Sequence, residues 1–502
     1  MSRPDVLEET KPANVGGAEA PSSEASRPVA RGAFAMLSTQ PLTWAASLAA
    51  IVLVPRYLGD DGLGRFAIAW TIGGYISLVA ALGLPNYVTR KVAIEPARAA
   101  IYAWGAIVVM TLIALPLMAV VLAVVAILRP TAIDMWLVLA GMSVTLVWSM
   151  QSILLSAFIG LQRHAHYAWL GAGASVVVTA TGLAALVAGD GGVYGYAGAI
   201  LIATVAITTA QWALSGLRFT RASVTPRILK ELVVGGLPFL WWNIALRVRE
   251  NADVVMTGLL LRPGVAGWLS AAYRIIGVTV FIPTVITTPL LPVLSKLRDN
   301  HTEYRAILRD SLATVLLFTV PASATIFVFA PAIPDLLGWP LELRHSIPVI
   351  MILAFQQVLI GVDMVLATSL IALGRERQWL RVAIAASLFN LAVNLIAIPA
   401  AEAIGGNGAV GAAIVEVATE LVFLGCAISL TPRGLLGRDL LLRALRTVAC
   451  GLVFVAVASF LRPHSLALAL VAGGGAYLVA AVALGVLRPA HIRAVRLALR
   501  AA

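Results

Sequence analysis

Long apolar runs recur along this chain after Arg31, and short polar segments separate them. Within a run the apolar residues are continuous and do not alternate with polar ones, which favours helices over strands and excludes a water-filled barrel. A helix needs about 20 apolar residues to cross the hydrocarbon core of a bilayer. The pattern therefore predicts an all-α integral membrane protein with about 14 transmembrane helices. The predicted spans cover residues 33–55, 63–87, 100–128, 133–159, 166–188, 192–215, 233–260, 266–294, 307–331, 345–372, 379–400, 408–430, 439–461 and 465–487.

The composition agrees with membrane insertion. Of the 502 residues, 60% are hydrophobic and 12% are charged, whereas about 25% of the residues of a soluble domain are charged. A net charge of +12 would suggest nucleic acid for a soluble protein, but the basic residues here lie in short segments between apolar runs, so we expect no nucleic-acid partner. Residues 1–30 are polar and lack the order of a signal peptide, and we predict a disordered cytoplasmic tail.

The distribution of Lys and Arg predicts the orientation, because cytoplasmic loops of membrane proteins are enriched in these residues. With fourteen spans, 27 of the 36 basic residues lie at the termini and in the alternate segments on the same side, and six lie on the opposite side. The remaining three are inside spans. We therefore expect both termini in the cytoplasm.

Two pairs of similar segments indicate an internal repeat. Gly64, after span 1, corresponds to Gly267, after span 7, and the start of span 6 at Gly195 resembles the start of span 12 at Gly408. The pairs are separated by 203 and 213 residues, which is about six spans. We predict two pseudo-symmetric six-helix lobes, with the N-lobe at 31–230, the C-lobe at 231–432, and helices 13 and 14 with a basic cytoplasmic C-terminus at 433–502.

Span 7 contains an unusual group of charged residues, Arg247, Arg249, Glu250 and Asp253, and Arg274 lies at a similar depth in span 8. An Arg or Asp at the centre of a span costs about 2.5–3.5 kcal/mol, so the group must face protein or water. One interpretation is a cavity whose arginines bind an anionic head group, since the guanidinium fork suits phosphate oxygens. The other is an ion-pair network, spaced i, i+3 and i, i+4, in which Glu250 and Asp253 balance the arginines and fix helix 7.

Other polar residues in predicted spans are weaker candidates. Acidic residues occur in spans 10 and 12, and they could bind a coupling ion (H+ or Na+) or a sugar hydroxyl, or reach water at a span end: Asp363, Glu416 and Glu420. Candidate sugar contacts are Gln40 and Trp44, which share a face of span 1, and Asn243 in span 7. The sequence has no phosphate-binding loop and no cluster with metal-ligand spacing, so we expect no catalytic residues, no metal and no cofactor.

Short motifs in a fixed order resemble those of a known family. They are Tyr57-Leu58-Gly59, Gly64-Arg65-Phe66, Gly83-Leu84, Arg90, Asn251-Ala252-Asp253, Gly267, Ala272-Tyr273-Arg274, Leu291-Pro292-Val293-Leu294-Ser295-Lys296, Asn390-Leu391-Ala392-Val393-Asn394-Leu395, Ile398-Pro399 and Gly408-Ala409-Val410-Gly411-Ala412-Ala413. Over about residues 33–490 the chain is similar to the polysaccharide-type flippases of the multidrug/oligosaccharidyl-lipid/polysaccharide exporter superfamily.

The resemblance implies a V-shaped pair of lobes that work by alternating access in the bacterial inner membrane. It implies that a polyprenyl-diphosphate-linked oligosaccharide, such as an O-antigen, capsule or exopolysaccharide unit, moves from the cytoplasmic to the outer leaflet. Arg247, Arg249 and Arg274 would then meet the diphosphate or an acidic sugar, and a polysaccharide polymerase or glycosyltransferase complex would be a partner.

Two departures from the superfamily bear on the alternatives. Span 1 has no carboxylate for cation coupling, which argues against an exporter of cationic drugs, and it lacks the arginines of the peptidoglycan-precursor flippases. The alternatives are a cation-coupled small-molecule antiporter of the same fold and a membrane polysaccharide polymerase or ligase. The last class usually has a long outer loop, and none is predicted here.

Overall fold

The computed structural model describes residues 23–128, 130–131, 133–247, 251–432 and 434–487. Across these ranges the chain is helical and forms no strand. The α-helices are α1 Ser23–Ala81, α2 Leu84–Ile94, α3 Ala99–Leu128, α4 Met135–Gly160, α5 His164–Ala188, α6 Gly192–Leu214, α7 Pro226–Arg247, α8 Ala252–Leu260, α9 Pro263–Thr279, α10 Phe281–Lys296, α11 His301–Phe329, α12 Ile333–Leu336, α13 Ser346–Ala372, α14 Glu376–Gly405, α15 Gly408–Leu430, α16 Arg438–Leu461 and α17 Leu466–Ala483.

The helices confirm the predicted all-α membrane fold. Within the described ranges, eleven helical segments are long and apolar enough to cross a membrane, or twelve if α9 and α10, bent by 48°, form one span. One of them, Ser38–Ile94, covers two predicted spans. The two are separated at Gly59, whose non-helical backbone (φ 65°, ψ −168°) interrupts α1. Predicted span 7 coincides with α7 and α8. The helices are thus consistent with fourteen crossings. Helix α1 begins at Ser23, inside the segment predicted as a disordered tail, and residues 1–22 lie outside the described residues.

Predicted span 7, over residues 233–260, contains a non-helical position at Asn251. Helix α7 ends at Arg247 and α8 begins at Ala252, after Asn251 in the left-handed conformation (φ 62°). Residues 248–250, including Arg249 and Glu250, lie outside the described residues.

One apolar core joins helices of both halves of the bundle, and others lie within one half. One core joins α2, α3 and α4 with the second half of α1. Ile228, Leu232 and Leu240 of α7 lie in this N-lobe core, although the predicted boundary at 231 assigned span 7 to the C-lobe. A second core joins α10, α11, α13, α14 and α15, and α16 and α17 pack on α11. The break in span 7 thus lies where the chain passes from the core of one lobe toward the other.

The two lobes meet closely where α1 packs against α9. A Cβ on Gly64 would lie 1.8 Å from the Pro263 carbonyl oxygen, and one on Gly267 would lie 2.0 Å from the Asp60 carbonyl oxygen. Only glycine permits such an approach of two backbones, as in small-residue contacts between membrane helices. The two glycines of the predicted repeat therefore face each other. We call this contact, formed by Asp60, Gly64, Arg262, Gly267 and Trp268, the seam.

Polar and aromatic contacts reinforce the seam. The Trp268 Nε1 donates a hydrogen bond to Asp60 Oδ2 at 3.1 Å, and Arg262 lies 3.8 Å from the same oxygen. The Arg262 guanidinium is 4.7 Å from the centre of the Trp268 ring, and the His345 ring stacks on this indole at 4.3 Å. These contacts join the two lobes at the end of the bundle predicted to face outward.

Candidate functional site

Two polar cavities lie between the seam and the opposite end of the bundle. Their walls include residues that follow Gly64 along α1 and residues that follow Gly267 along α9. The N-lobe cavity has a volume of about 560 Å³ and the C-lobe cavity about 720 Å³, and both are lined by Asn251 at the break of span 7. Polar cavities inside an apolar bundle are the usual location of substrate and ion sites in transporters.

The N-lobe cavity is lined by the second half of α1, by the start of α2, by α4 and by Asn243 of α7. Its described lining is Trp70, Thr71, Gly74, Tyr75, Ser77, Leu78, Ala81, Gly83, Pro85, Asn86, Thr145, Trp148, Ser149, Ser152, Asn243 and Asn251. This described lining contains hydroxyl, amide and aromatic groups, but no carboxylate, ammonium or guanidinium group. Its chemistry therefore suits a ligand rich in uncharged hydrogen-bonding groups.

A row of aromatic rings supports the N-lobe cavity. Trp148 and Trp70 form an edge-to-face pair with centroids 5.6 Å apart. Phe66 packs on Trp70 at 4.9 Å and on Tyr196 at 5.0 Å. Arg274 of α9 lies near Tyr196, and its buried Nε has no hydrogen-bond partner among the described residues. The rings thus connect the surroundings of Arg274 with the cavity wall.

The C-lobe cavity is acidic. Its described lining is Asn251, Tyr273, Ile276, Gly277, Val280, Gln356, Ile360, Asp363, Met364, Ala367, Trp379, Ala383, Ser387, Glu416, Glu420 and Phe423. The three carboxylates, on α13 and α15, are all buried. Carboxylates in a membrane interior need protons or cations to offset their charge, so this cavity suits a cation or a transferable proton.

Amide groups hold one of these carboxylates in place. Glu416 accepts hydrogen bonds from Gln356 Nε2 and from Asn390 Nδ2, each at 2.9 Å. Asn394 Nδ2 in turn donates to Asn390 Oδ1 at 3.0 Å. Because Glu416 and Glu420 are one turn apart on α15, both reach the cavity.

Asp253 lies behind this cavity, with no exposed surface. It accepts a hydrogen bond from the hydroxyl of Tyr273, a residue of the cavity wall, and one from the backbone N–H of Val254 at 2.9 Å. Its carboxylate therefore holds Tyr273 and the start of α8.

The structure brings some of the predicted site residues together. Asn243 lines the N-lobe cavity, and Asp363, Glu416 and Glu420 line the C-lobe cavity. Gln40 and Trp44 line neither; Trp44 is 44% exposed and packs edge-on against Phe281 at 4.6 Å. The backbone of Arg247 ends α7, and its side chain lies outside the described part of the chain.

Sequence reasoning missed the α4 wall and the amides around Glu416. Thr145, Ser149 and Ser152 are spaced i, i+4 and i+7 in an apolar span, which places them on one helix face. Asn390 and Asn394 are spaced i, i+4 in the same way. Both patterns were visible in the sequence. Among the described residues, no three or more His, Cys, Asp and Glu side chains come together as a metal-ligand cluster.

Comparisons with known proteins identify the family and the fold. The sequence profile of the family described as "Polysaccharide biosynthesis protein" matches residues 29–298, and that of the MatE family matches residues 238–396. No curated protein matches the sequence.

Solved structures share the fold at low sequence identity. The inward closed conformation of the lipid II flippase MurJ has a TM-score of 0.69 and 15% identity, over 89% of this chain and 98% of that one. A MATE family multidrug resistance transporter of the MOP superfamily, in its inward-facing conformation, has a TM-score of 0.58 and 17% identity, over 77% and 94%. The eukaryotic MATE transporter AtDTX14 has a TM-score of 0.54 and 14% identity, over 85% and 99%.

The polysaccharide biosynthesis profile covers more than half of the chain, and flippases and exporters share its fold. Together these matches assign the chain to a family. The chain is a multi-pass membrane transporter that belongs to the polysaccharide biosynthesis protein family, among the flippases of the multidrug/oligosaccharidyl-lipid/polysaccharide exporter superfamily.

Proposed function

We propose that the protein is a flippase that moves a polyprenyl-diphosphate-linked oligosaccharide from the cytoplasmic to the outer leaflet of a bacterial inner membrane. The observation that carries the proposal is the pair of polar cavities, which lie between the seam and the end of the bundle predicted to be cytoplasmic. In this arrangement the head group enters from the cytoplasm, where both termini are predicted to lie, while the polyprenyl tail stays in the bilayer. Opening of the seam then exposes the head group to the outer side.

The diphosphate is proposed to bind near the break of span 7. Arg247 and Arg249 lie in the sequence between Asn243 and Asn251, two residues of the N-lobe cavity wall. Arg274 is the third candidate, and its Nε is buried with no hydrogen-bond partner among the described residues. A guanidinium stays charged and binds phosphate oxygens with two parallel hydrogen bonds, which supports this role.

The C-lobe carboxylates are proposed to couple transport to H+ or Na+. Asp363, Glu416 and Glu420 are buried around one cavity, where uptake of a proton or cation would change the cost of exposing the cavity to either side of the membrane. The same acidic cavity supports the second candidate, a cation-coupled antiporter of small molecules. That function would be favoured if the purified protein drove uptake of a cationic dye in competition with Na+ or H+.

The test is flipping of a fluorescent polyprenyl-diphosphate-linked oligosaccharide in vesicles that contain the purified protein. We expect Arg274→Ala to lower the rate at least tenfold, with partial recovery in Arg274→Lys. The matched control is Arg462→Ala, because Arg462 donates to the Val328 carbonyl at 2.8 Å, outside both cavities. In cells, deletion of the gene should cause the lipid-linked intermediate to accumulate on the cytoplasmic side.

Two outcomes would contradict parts of this proposal. Wild-type rates in both Arg274→Ala and Arg249→Ala would exclude diphosphate binding by these arginines. Restored flipping in a double variant lacking both Arg249 and Asp253 would favour the ion-pair interpretation. A polysaccharide polymerase or glycosyltransferase complex as partner remains a prediction.

A further inference from the structure

One wall of the N-lobe cavity combines aromatic rings with serine hydroxyls. It consists of Trp70, Tyr75 and Ser77 of α1 with Trp148, Ser149 and Ser152 of α4, and we call it the serine–tryptophan wall. Glycines allow α1 and α4 to come together behind it, since a Cβ on Gly73 would lie 2.6 Å from the Gly141 carbonyl oxygen. The wall is therefore a fixed surface between two closely packed helices.

The hydrogens of the serine hydroxyls are used inside the protein. Ser77 Oγ donates to the Thr145 carbonyl at 2.9 Å, so in the short contact between Ser77 and Ser149 it is Ser149 that donates. Ser152 Oγ donates to the Ser149 carbonyl at 2.8 Å. A hydroxyl whose hydrogen is already donated can still accept. Ser149 and Ser152 thus present acceptor oxygens to the cavity.

Trp148 supplies a flat apolar surface beside these acceptors. Its side chain is 41% exposed although it lines a cavity wall. Edge-to-face packing on Trp70, which is itself backed by Phe66, limits its movement. The face of an indole carries partial negative charge and attracts weakly positive C–H groups. A pyranose ring has such C–H groups on its face and hydroxyl donors around its edge.

We infer that the serine–tryptophan wall is the sugar-recognition surface, and that the sugar it contacts is uncharged, with its ring stacked on Trp148. A sugar hydroxyl can donate to Ser149 and Ser152. A uronic acid carboxylate has only acceptor oxygens, so it would lose hydration beside Ser149 and Ser152 without gaining a hydrogen bond from either. This inference rests on the proposed flippase function and specifies the class of glycan.

The experiment compares two polyprenyl-diphosphate-linked disaccharides that differ only in the outer sugar, glucose or glucuronic acid, in vesicles with the purified full-length protein. We expect the wild type to flip the glucose lipid at least tenfold faster. Trp148→Ala should lower the glucose rate at least tenfold, and Trp148→Phe should restore most of it. Ser152→Lys should shift the preference at least tenfold toward the glucuronic acid lipid.

The matched control is Trp136→Ala, a tryptophan in the first turn of α4 that lies outside the cavity and is 68% exposed. Its rates should equal those of the wild type. Thermal unfolding and size-exclusion profiles of each variant separate loss of recognition from loss of folding, and Trp148→Phe keeps the test valid if Trp148→Ala does not fold.

Different outcomes would contradict the sugar-recognition inference and the proposed flippase function. Equal wild-type rates for the two lipids, or an unchanged glucose rate in a folded Trp148→Ala protein, would overturn the inference while leaving the flippase function in place. If the wild type moved neither lipid, the flippase function itself would be contradicted and the inference with it.

Discussion

The two cavities share Asn251 and differ little in size, but their chemistry is opposite. In a six-span repeat, α4 of the N-lobe corresponds to α13 of the C-lobe. The first supplies Ser149 and Ser152, and the second supplies Gln356 and Asp363. Equivalent helices thus line one cavity with uncharged hydrogen-bonding groups and the other with carboxylates. The difference agrees with the proposed division of function, in which the glycan binds on one side of Asn251 and the coupling ion on the other.

The two lobes contribute similar residues to the seam. Each lobe contributes a glycine to the same close approach, Gly64 from one and Gly267 from the other. Close backbone contact leaves no room for side chains to diverge, whereas a cavity wall accepts different side chains without disturbing the packing behind it. The two lobes are therefore alike at the packed seam and differ in the side chains that line their cavities.

The largest effect is expected from Gly267→Ala, which disturbs the frame that both cavities share. A Cβ at this position would lie 2.0 Å from the Asp60 carbonyl oxygen, and this backbone atom cannot move without shifting α1. We expect a loss of about 3 kcal/mol in stability, at the upper end of overpacking effects, measured by thermal unfolding in detergent. Gly198→Ala is the control, because a Cβ there meets no atom within 4 Å. Equal unfolding temperatures for the two variants would show that the seam is less tight than the backbone positions indicate.

An intermediate effect is expected from Glu416→Gln, which removes one carboxylate from the C-lobe cavity alone. An amide at this position cannot take up a proton or balance a cation. We expect flipping driven by a pH or Na+ gradient to fall about tenfold, equivalent to about 1.4 kcal/mol, while the preference between neutral and acidic glycans stays the same. Glu402→Gln is the matched control, because Glu402 accepts from the Gly408 N–H at 2.7 Å and lies outside both cavities. A changed glycan preference with intact gradient dependence would reverse the roles assigned to the two cavities.

Much of this arrangement could be predicted from the sequence. Apolar run length predicted the spans, and the spacing of Glu416 and Glu420 placed both on one face of α15. The glycine repeat predicted two lobes, but it did not predict that Gly64 and Gly267 meet. Hydropathy does not show which face of a span meets lipid, because lipid and protein interior are both apolar. Trp44, a candidate sugar contact, packs on Phe281 and lines neither cavity.

The interruption of span 7 at Asn251 could not be predicted from the sequence. Asn251 adopts φ 62°, and asparagine is one of the few residues that tolerate this conformation, but it also occurs within ordinary helices. Tertiary packing decides between these cases, since α7 lies in the N-lobe core and α8 packs toward α9. The predicted pairing of Arg249 with Asp253 stays a prediction, because Arg249 lies outside the described residues.

The smallest effect is expected at Asn251, where the two cavities meet, and its variants separate backbone from side chain. Asn251→Ala keeps a Cβ but loses the tolerance for φ 62°, so we expect a loss of about 1 kcal/mol in stability. Asn251→Gly accepts this conformation and should stay close to the wild type in thermal unfolding. If the amide serves only the backbone, Asn251→Gly will also flip the glucose lipid at the wild-type rate. A stable Asn251→Gly protein with slower flipping would show that the amide contacts the head group, which would make the two cavities parts of one binding site rather than separate sites for glycan and ion.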